Sequence, residues 1–287
     1  MKNNNFIARQ KRYNMKKLII PLLLISAMAA SAQEHKLVKL WETDSVVAVP
    51  ESVLPDLKNN ILYVSLIDGG GWDVDGKGGI AKLGADGKNY NPGWVGGMNA
   101  PKGLGRYGNR IYAADISEVV VVDIPARKII KKIAIEGASG LNDITVSDRG
   151  VVYVSDSKTS RIWKITNNIP SLYLENVKGA NGLKAIKGDL IYAEGPSLLR
   201  ADAQKKITKI AEIPESIDGI EPVGHGDFIV TAWVGYIYYV HANGRVDLLL
   251  DTHLEKKNTA DIGYDPVKRV LYVPTFLAKR VTAYKLN

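Results

Sequence analysis

Six times along this chain a polar residue opens a short apolar stretch, a polar turn follows, and an apolar run begins nine or ten residues after the polar one. The copies start at Glu51, Lys102, Asn142, Asn181, Asp218 and Asp261, and their apolar runs open at Ile61, Ile111, Val151, Leu190, Phe228 and Val270. Successive starts are 51, 40, 39, 37 and 43 residues apart by subtraction. A unit of about 40 residues built from strand patterns cannot bury its apolar faces alone, and radial stacking of such units gives a β-propeller with one four-stranded blade per repeat. No stretch sustains an apolar period of 3.6 over three turns, so the fold class expected is all-β. A pair of β-sandwiches is the alternative, and the regular period weighs against it.

The first 32 residues read as a leader rather than as fold. Lys16 and Lys17 precede an apolar stretch from Leu18 to Met28, and Ala30-Ser31-Ala32 follows as a small-residue cleavage site. The expectation is a signal peptide over 1–32, cut before Gln33, with Met15 as an alternative start, and export to the periplasm or the extracellular space. The apolar stretch is too short to span a bilayer, so no transmembrane segment is expected in the mature chain. The formal charge of +8 falls to +2 once the leader's Lys2, Arg9, Lys11, Arg12, Lys16 and Lys17 are set aside. A balance that near neutral gives no electrostatic footprint for nucleic acid. There is no cysteine, so no disulfide holds the mature chain together.

Residues 33–287 are expected to form a single six-bladed propeller. Turn signals such as Asp148-Arg149-Gly150, Lys187-Gly188-Asp189 and Ala242-Asn243-Gly244 sit where strands should reverse. Counting strands leaves the last blade with three, at Asp261–Tyr264, Val270–Pro274 and Val281–Lys285. The alternating segment Leu37–Thr43 precedes the first repeat and supplies the fourth, pairing beside Val281–Lys285 to close the ring and hide two edges. A loose N-terminal arm is the other reading of that segment.

Blades are radial, so equivalent positions form rings about the axis. If Glu51, Lys102, Asn142, Asn181, Asp218 and Asp261 all begin inner strands, they converge on one mouth of the central tunnel. Carboxylates held together repel unless a proton or a cation intervenes. An oxygen-only set of Asp, Glu and Asn suits a hard divalent cation, Ca²⁺ first, with Zn²⁺ and Mn²⁺ as alternatives. Taken one at a time, each of the six is equally a strand-start residue that accepts a backbone hydrogen bond.

The same residues carry a family resemblance. Glu51-Ser52 shortly before Ile61–Val64, Asn142-Asp143 opening a strand before Asp148-Arg149-Gly150, Asn181-Gly182-Leu183 and Asp218-Gly219-Ile220 fall in order, one per blade, in blades one, three, four and five. In this the chain resembles the SMP-30/gluconolactonase/LRE-like six-bladed propellers over nearly its whole mature length. The resemblance implies that Glu51, Asn181 and Asp218 ligate a divalent metal, and that Asn142 completes the site or touches substrate. It also implies that Asp218 is the general base of a lactone or ester hydrolase. The chain departs from the pattern at Gly140, where sugar-acid lactonases carry an Arg, and at Leu54-Pro55, where a Trp is usual. These departures bear on the sugar-lactone substrate and leave the fold and the ion site unaffected. Lys102 is a candidate substrate-binding residue that restores the lost positive charge, or else neutralises Glu51 or Asp261.

Loops after the second strands should ring the pocket and carry Asp115, Asp156, Glu194, Trp233 and Phe276. Trp233 is a candidate for stacking on a small-molecule substrate, though an aromatic between blades is as often packing. The longest of these loops, Ile67–Gly79, holds many glycines and Trp72, and reads either as a mobile cover over a ligand or as a solvated hairpin loop. Asp73-Val74-Asp75-Gly76 looks like half an EF-hand, but the twelfth position is Gly84 rather than Glu. The four histidines show no triad or paired-ligand spacing. Two functions remain: a metal-dependent hydrolase of lactones or related esters, and a non-catalytic propeller that binds a ligand or protein and keeps a cation for structure.

Overall fold

Strand β1 spans Leu37–Glu42, and twenty-three more follow it in chain order in the computed structural model, which describes Met1 and residues 35–287. The leader lies outside the described residues except for Met1. Blade one is β2 (Pro50–Asp56), β3 (Ile61–Leu66), β4 (Gly78–Gly84) and β5 (Asn91–Met98). Blade two is β6 (Pro101–Tyr107), β7 (Arg110–Asp115), β8 (Glu118–Asp123) and β9 (Lys128–Ala134). Blade three is β10 (Leu141–Val146), β11 (Val152–Asp156), β12 (Arg161–Thr166) and β13 (Ile169–Glu175). Blade four is β14 (Ala180–Ile186), β15 (Asp189–Glu194), β16 (Ser197–Ala201) and β17 (Ile207–Glu212). Blade five is β18 (Ile220–Gly224), β19 (Asp227–Ala232), β20 (Tyr236–Val240) and β21 (Val246–Asp251). Blade six is β22 (Gly263–Asp265), β23 (Val270–Pro274) and β24 (Val281–Leu286), with β1 as its outer strand. All six sheets are four-stranded antiparallel meanders, and helix among the described residues is limited to two three-residue turns at His253–Glu255 and Phe276–Ala278.

The core is divided among the gaps between blades. Six apolar clusters each join residues of two successive blades, for example Ile191, Leu198 and Ile213 of blade four with Ile220, Val230 and Val240 of blade five. This is why the middle strands read as unbroken apolar runs rather than alternating ones: Val119–Val122 of β8 are buried on both faces because a blade lies on either side. No helix among the described residues is long and apolar enough to cross a membrane.

The held-over N-terminal strand closes the ring. β1 pairs with β24 through Leu37–Leu286, Val38–Lys285 and Glu42–Thr282, with a register shift between Lys39 and Trp41. Beyond β1, Thr43 N–H donates to Val281 O at 3.0 Å and Arg280 donates to Thr43 O at 3.0 Å. Trp41 reaches from β1 across the blade boundary, where its indole N–H donates to Ala85 O at 3.1 Å and its ring lies 6.1 Å from that of Tyr272. Replacing Trp41 with alanine should therefore destabilise the chain by about 2–3 kcal/mol in chemical denaturation, since it removes packing and leaves a carbonyl unpaired. Val38→Lys, on the same strand but 48% exposed, should stay within about 0.5 kcal/mol.

Candidate active site at the tunnel mouth

The inner strands of blades one to four carry the same irregularity, blade five repeats it just before its inner strand, and it places the site. In blade one the ladder steps from Pro50–Leu66 to Val53–Val64, so Glu51 and Ser52 together face Ser65. Blades two, three and four repeat this: Lys102-Gly103, Asn142-Asp143 and Asn181-Gly182 each face one residue of the second strand. In blade five Asp218 N–H donates to Thr231 O at 2.7 Å, and Thr231 N–H donates to Gly219 O at 3.0 Å. Two residues opposite one is a β-bulge, a device that re-aims side chains and bends a strand beside a functional centre.

The bulge separates two rings. The first bulge residues are Glu51, Lys102, Asn142, Asn181 and Asp218, the polar set expected from the repeat. The second residues press on the next blade. A Cβ on Gly103 would come within 2.6 Å of Asp143 Cα, one on Gly182 within 2.2 Å of Asp218 O, and one on Gly219 within 2.8 Å of Ile262 N. Where the second residue is not glycine, it bonds across blades instead. Ser52 Oγ donates to the Asp261 carboxylate and accepts Leu104 N–H at 3.3 Å, and the Asp143 carboxylate accepts Leu183 N–H.

Asp261 corrects the sequence expectation. Ala260 N–H donates to Pro274 O as Asp218 N–H does to Thr231 O, so Ala260 is the counterpart of Asp218. Asp261 is one position further on, bridged in parallel to Ser52. It therefore belongs to the second ring with Ser52 and Asp143, and the mouth ring has an alanine at its sixth place. The spacing misled because Ala260-Asp261-Ile262 has the same polar-before-apolar look as Asp218-Gly219-Ile220, one residue out of step.

Four oxygens of the mouth ring are buried without any hydrogen-bond partner: Glu51 Oε2, Asn142 Oδ1, Asn181 Oδ1 and Asp218 Oδ2. Only three other buried side-chain polar atoms among the described residues share that condition. Both amides spend their nitrogens elsewhere, Asn181 Nδ2 on Asp218 Oδ1 at 2.6 Å and Asn142 Nδ2 on Ser157 Oγ at 3.1 Å, which leaves the carbonyl oxygens free to accept. Among the described residues no group of three or more His, Cys, Asp or Glu is placed to hold a metal ion. The donors here are instead two carboxylates and two amides, an oxygen set of the kind a hard cation takes.

The electrostatics point the same way. Burial lifts Glu51 well above the usual carboxylate range, and the charges of Asp218 and Asp261 lift it further. Burial pushes Asp218 up to about 7 against the opposing Asn181 hydrogen bond and Lys102 charge. Asp261 is likewise pushed to about 7, and Asp143 is raised by burial and by Asp261. Below the mouth, a cavity of about 180 Å³ continues along the axis between Val53, Leu104, Ile144, Leu183, Ile220 and Ile262. Among its charged lining groups Lys184 pairs with Glu221 at 2.7 Å and Arg106 reaches Asp56 at 2.9 Å, while Asp143 and Asp261 border it without an ion-pair partner among the described residues. Of the four carboxylates nearer the mouth, Glu51 and Asp218 feel the charge of Lys102, while Asp143 and Asp261 feel that of Lys184, which is already paired with Glu221.

Lys102 is 4% exposed, and burial lowers its pKa although Glu51 and Asp115 oppose the shift. Its ammonium donates to Gly71 O and to Ala100 O, the latter at 3.2 Å, and lies 3.9 Å from the Trp72 ring. The Ile67–Gly79 loop is thus folded onto the mouth ring through Lys102, rather than standing free as a solvated hairpin. Lys158, which the sequence did not single out, reaches the same indole at 4.3 Å. A Cβ at Gly140 would meet the Lys158 side chain at 2.5 Å, so Lys158 fills the space left at that position.

Two rim expectations fail for a simple reason. Asp115 and Asp156 are fully buried, and their carboxylates accept the backbone N–H groups of Asn99 and Ala100 and of Ser139 and Thr159. They fasten the connections between blades and do not face a ligand. Trp233 is on the rim, 40% exposed, with its ring edge-on to Phe276 at 5.4 Å.

These shifts set a pH dependence. Asp218 and Asp261 keep protons in the folded chain up to about pH 7 that the unfolded chain loses near 3.8. The stability they contribute is complete below about pH 4 and is lost as pH rises towards 7. The melting temperature of cation-stripped protein should fall from pH 5 to pH 8. CaCl₂ at about a hundred times its dissociation constant should restore on the order of 5–10 °C at pH 8, and Glu51→Gln should abolish that restoration. A melting temperature indifferent to both pH and cation would show that the carboxylates are satisfied some other way.

No protein-family model and no curated protein sequence matches this chain. Solved structures do match. A gluconolactonase from Xanthomonas campestris superposes with a TM-score of 0.68 at 12% identity, covering 91% of this chain and 93% of that one. A putative gluconolactonase gives 0.65 at 14% identity, with coverages of 89% and 93%. Virginiamycin B lyase from Staphylococcus aureus gives 0.61 at 15% identity, with coverages of 88% and 100%. Identities this low speak for the fold, and the chain shares the six-bladed propeller of the SMP-30/gluconolactonase-like proteins.

Proposed function

We propose that the tunnel mouth is the active site of a hydrolase that opens a lactone or a related ester, with Asp218 as general base. The observation that carries this reading is the set of four buried, partnerless oxygens drawn from four blades by one repeated bulge. Likeness in fold to gluconolactonase structures supports the reaction class, and the lyase structures on the same fold show that the product must be identified.

Glu51, Asn181 and Asp218 would hold a divalent cation, Ca²⁺ by the hardness of the donors, and Asn142 would complete the set or touch substrate. Bound there, such an ion would supply electrophilic polarisation of the ester carbonyl. Asp218, lifted to about 7 by burial, is poised to take a proton from the attacking water and to return it to the leaving alkoxide oxygen. Asn181 fixes the orientation of the Asp218 carboxylate through its 2.6 Å hydrogen bond. Lys102 places a positive charge beside the mouth where negative charge develops, and Trp233 offers an exposed ring on the rim.

The test is a panel of γ- and δ-lactones and aryl esters followed by proton release, with the product identified as the hydroxy acid by mass. Asp218→Asn should lower kcat/KM by at least about 10²-fold, and stripping the cation should remove activity that Ca²⁺ restores. Full activity in Asp218→Asn would sink the base assignment. No turnover of any substrate, with cation-dependent stability retained, would instead identify a binding propeller with a structural ion.

A further inference from the structure

Two ammonium groups share one indole, and the proposed reaction uses only Lys102 of the pair. Lys102 Nζ lies 3.9 Å and Lys158 Nζ 4.3 Å from the Trp72 centroid, and they come from blade two and from the loop after β11 in blade three. Among the described residues neither forms an ion pair with a carboxylate. Lys102 is bonded to two backbone carbonyls, and Lys158 has the indole face. One of the two is almost fully buried and the other is exposed, so the pair runs from solvent into the mouth.

Like charges gathered on a single ring repel one another, and a cation–π contact at a partly exposed site offsets only about 1 kcal/mol. The charge of Lys158 adds to the downward shift that burial imposes on Lys102, against the opposing charges of Glu51, Asp115 and Asp218. An anion between them would relieve that repulsion and form charge-assisted hydrogen bonds with both. The stem of Lys158 is held in place, because it occupies the room left by the missing side chain of Gly140. The Ile67–Gly79 loop that brings Trp72 has its own anchors, Lys102 on Gly71 O and Gly76 N–H on Asn99 Oδ1 at 3.3 Å.

We propose that Lys102 and Lys158, with Trp72 against them, are a recognition site for the carboxylate of an anionic ligand entering the tunnel mouth. The proposal rests on the mouth being a ligand site and is independent of whether the ligand is hydrolysed. Lys158 is the specificity-determining member, since it is exposed and carries no fold contact beyond Gly140 and Trp72. In the resting molecule the indole stands where the ligand's apolar part would lie. The face of Trp72 would therefore change partner on binding, and its fluorescence would report the event.

The full chain, stripped of cations on a chelating resin, is titrated with two matched pairs, D-gluconate against D-glucitol and benzoate against benzyl alcohol. Binding is followed by calorimetry and by tryptophan fluorescence, with Trp72→Phe identifying the reporting residue. At least one carboxylate should bind tenfold or more tightly than its neutral partner. Lys158→Gln should weaken that carboxylate about tenfold while leaving the neutral compound and the melting temperature unchanged. Saturable binding of neither carboxylate, equal binding within both pairs, or Lys158→Gln within twofold of the parent would each overturn the proposal. If no lactone is turned over but Lys158-dependent carboxylate binding is found, the hydrolase reading falls and the recognition site stands. Turnover with Lys158-independent carboxylate binding gives the reverse.

Discussion

Two residues facing one, at the same place in successive blades, is the constraint on which the rest of this structure depends. A regular strand sends alternate side chains to opposite faces. At the narrow end of a propeller blade neither face has room for that, because the next blade is already there. The bulge lets Glu51, Lys102, Asn142, Asn181 and Asp218 turn to the mouth, while the following residue shrinks to glycine or becomes a polar bridge. Blade-to-blade contact and site geometry are therefore set by one irregularity. A substitution that enlarges Gly103, Gly182 or Gly219 would push neighbouring inner strands apart and disturb the mouth with them.

The tunnel shows by contrast where its chemistry belongs. Away from the mouth, Glu221 and Asp56 each have a cation at hydrogen-bond distance. Around the mouth, Glu51, Asp143, Asp218 and Asp261 are all raised by burial, Lys102 gives its hydrogen bonds to backbone carbonyls, and Lys184 is committed to Glu221. Buried carboxylates left without ion-pair partners at one end of a tunnel mark it as the candidate site. The second ring limits the cost, since Asp143 and Asp261 accept bonds from Leu183 and Ser52.

Much of this was legible in the sequence. The 40-residue period and the strand count led to six blades and to a borrowed last strand, because a propeller's arithmetic must close. The mouth residues were found because each stands a fixed distance before an apolar run. What stayed hidden was register. Nothing in Ala260-Asp261-Ile262 says which of its first two residues faces the mouth, and only the bond from Ala260 N–H to Pro274 O decides it. Asp115 and Asp156 looked like rim acids because a residue's place at a strand end says nothing about which backbone N–H groups wait there. Lys158 escaped notice because its significance lies in the room left in another loop, at Gly140 just before β10. Spacing along one chain does not display a trade of space between two loops.

The closing strand has one more consequence. Asn287 N–H donates to Lys36 O at 3.0 Å, and the His35 ring meets Asn287 O at 3.4 Å, so both ends of the folded unit lie side by side in one blade. With its ends tied together, the ring could be cut open at an exposed turn such as Ala242–Gly244 and keep every ladder and every bulge. No blade of this molecule is first in any physical sense, and the mouth would be assembled the same way whichever one emerged earliest.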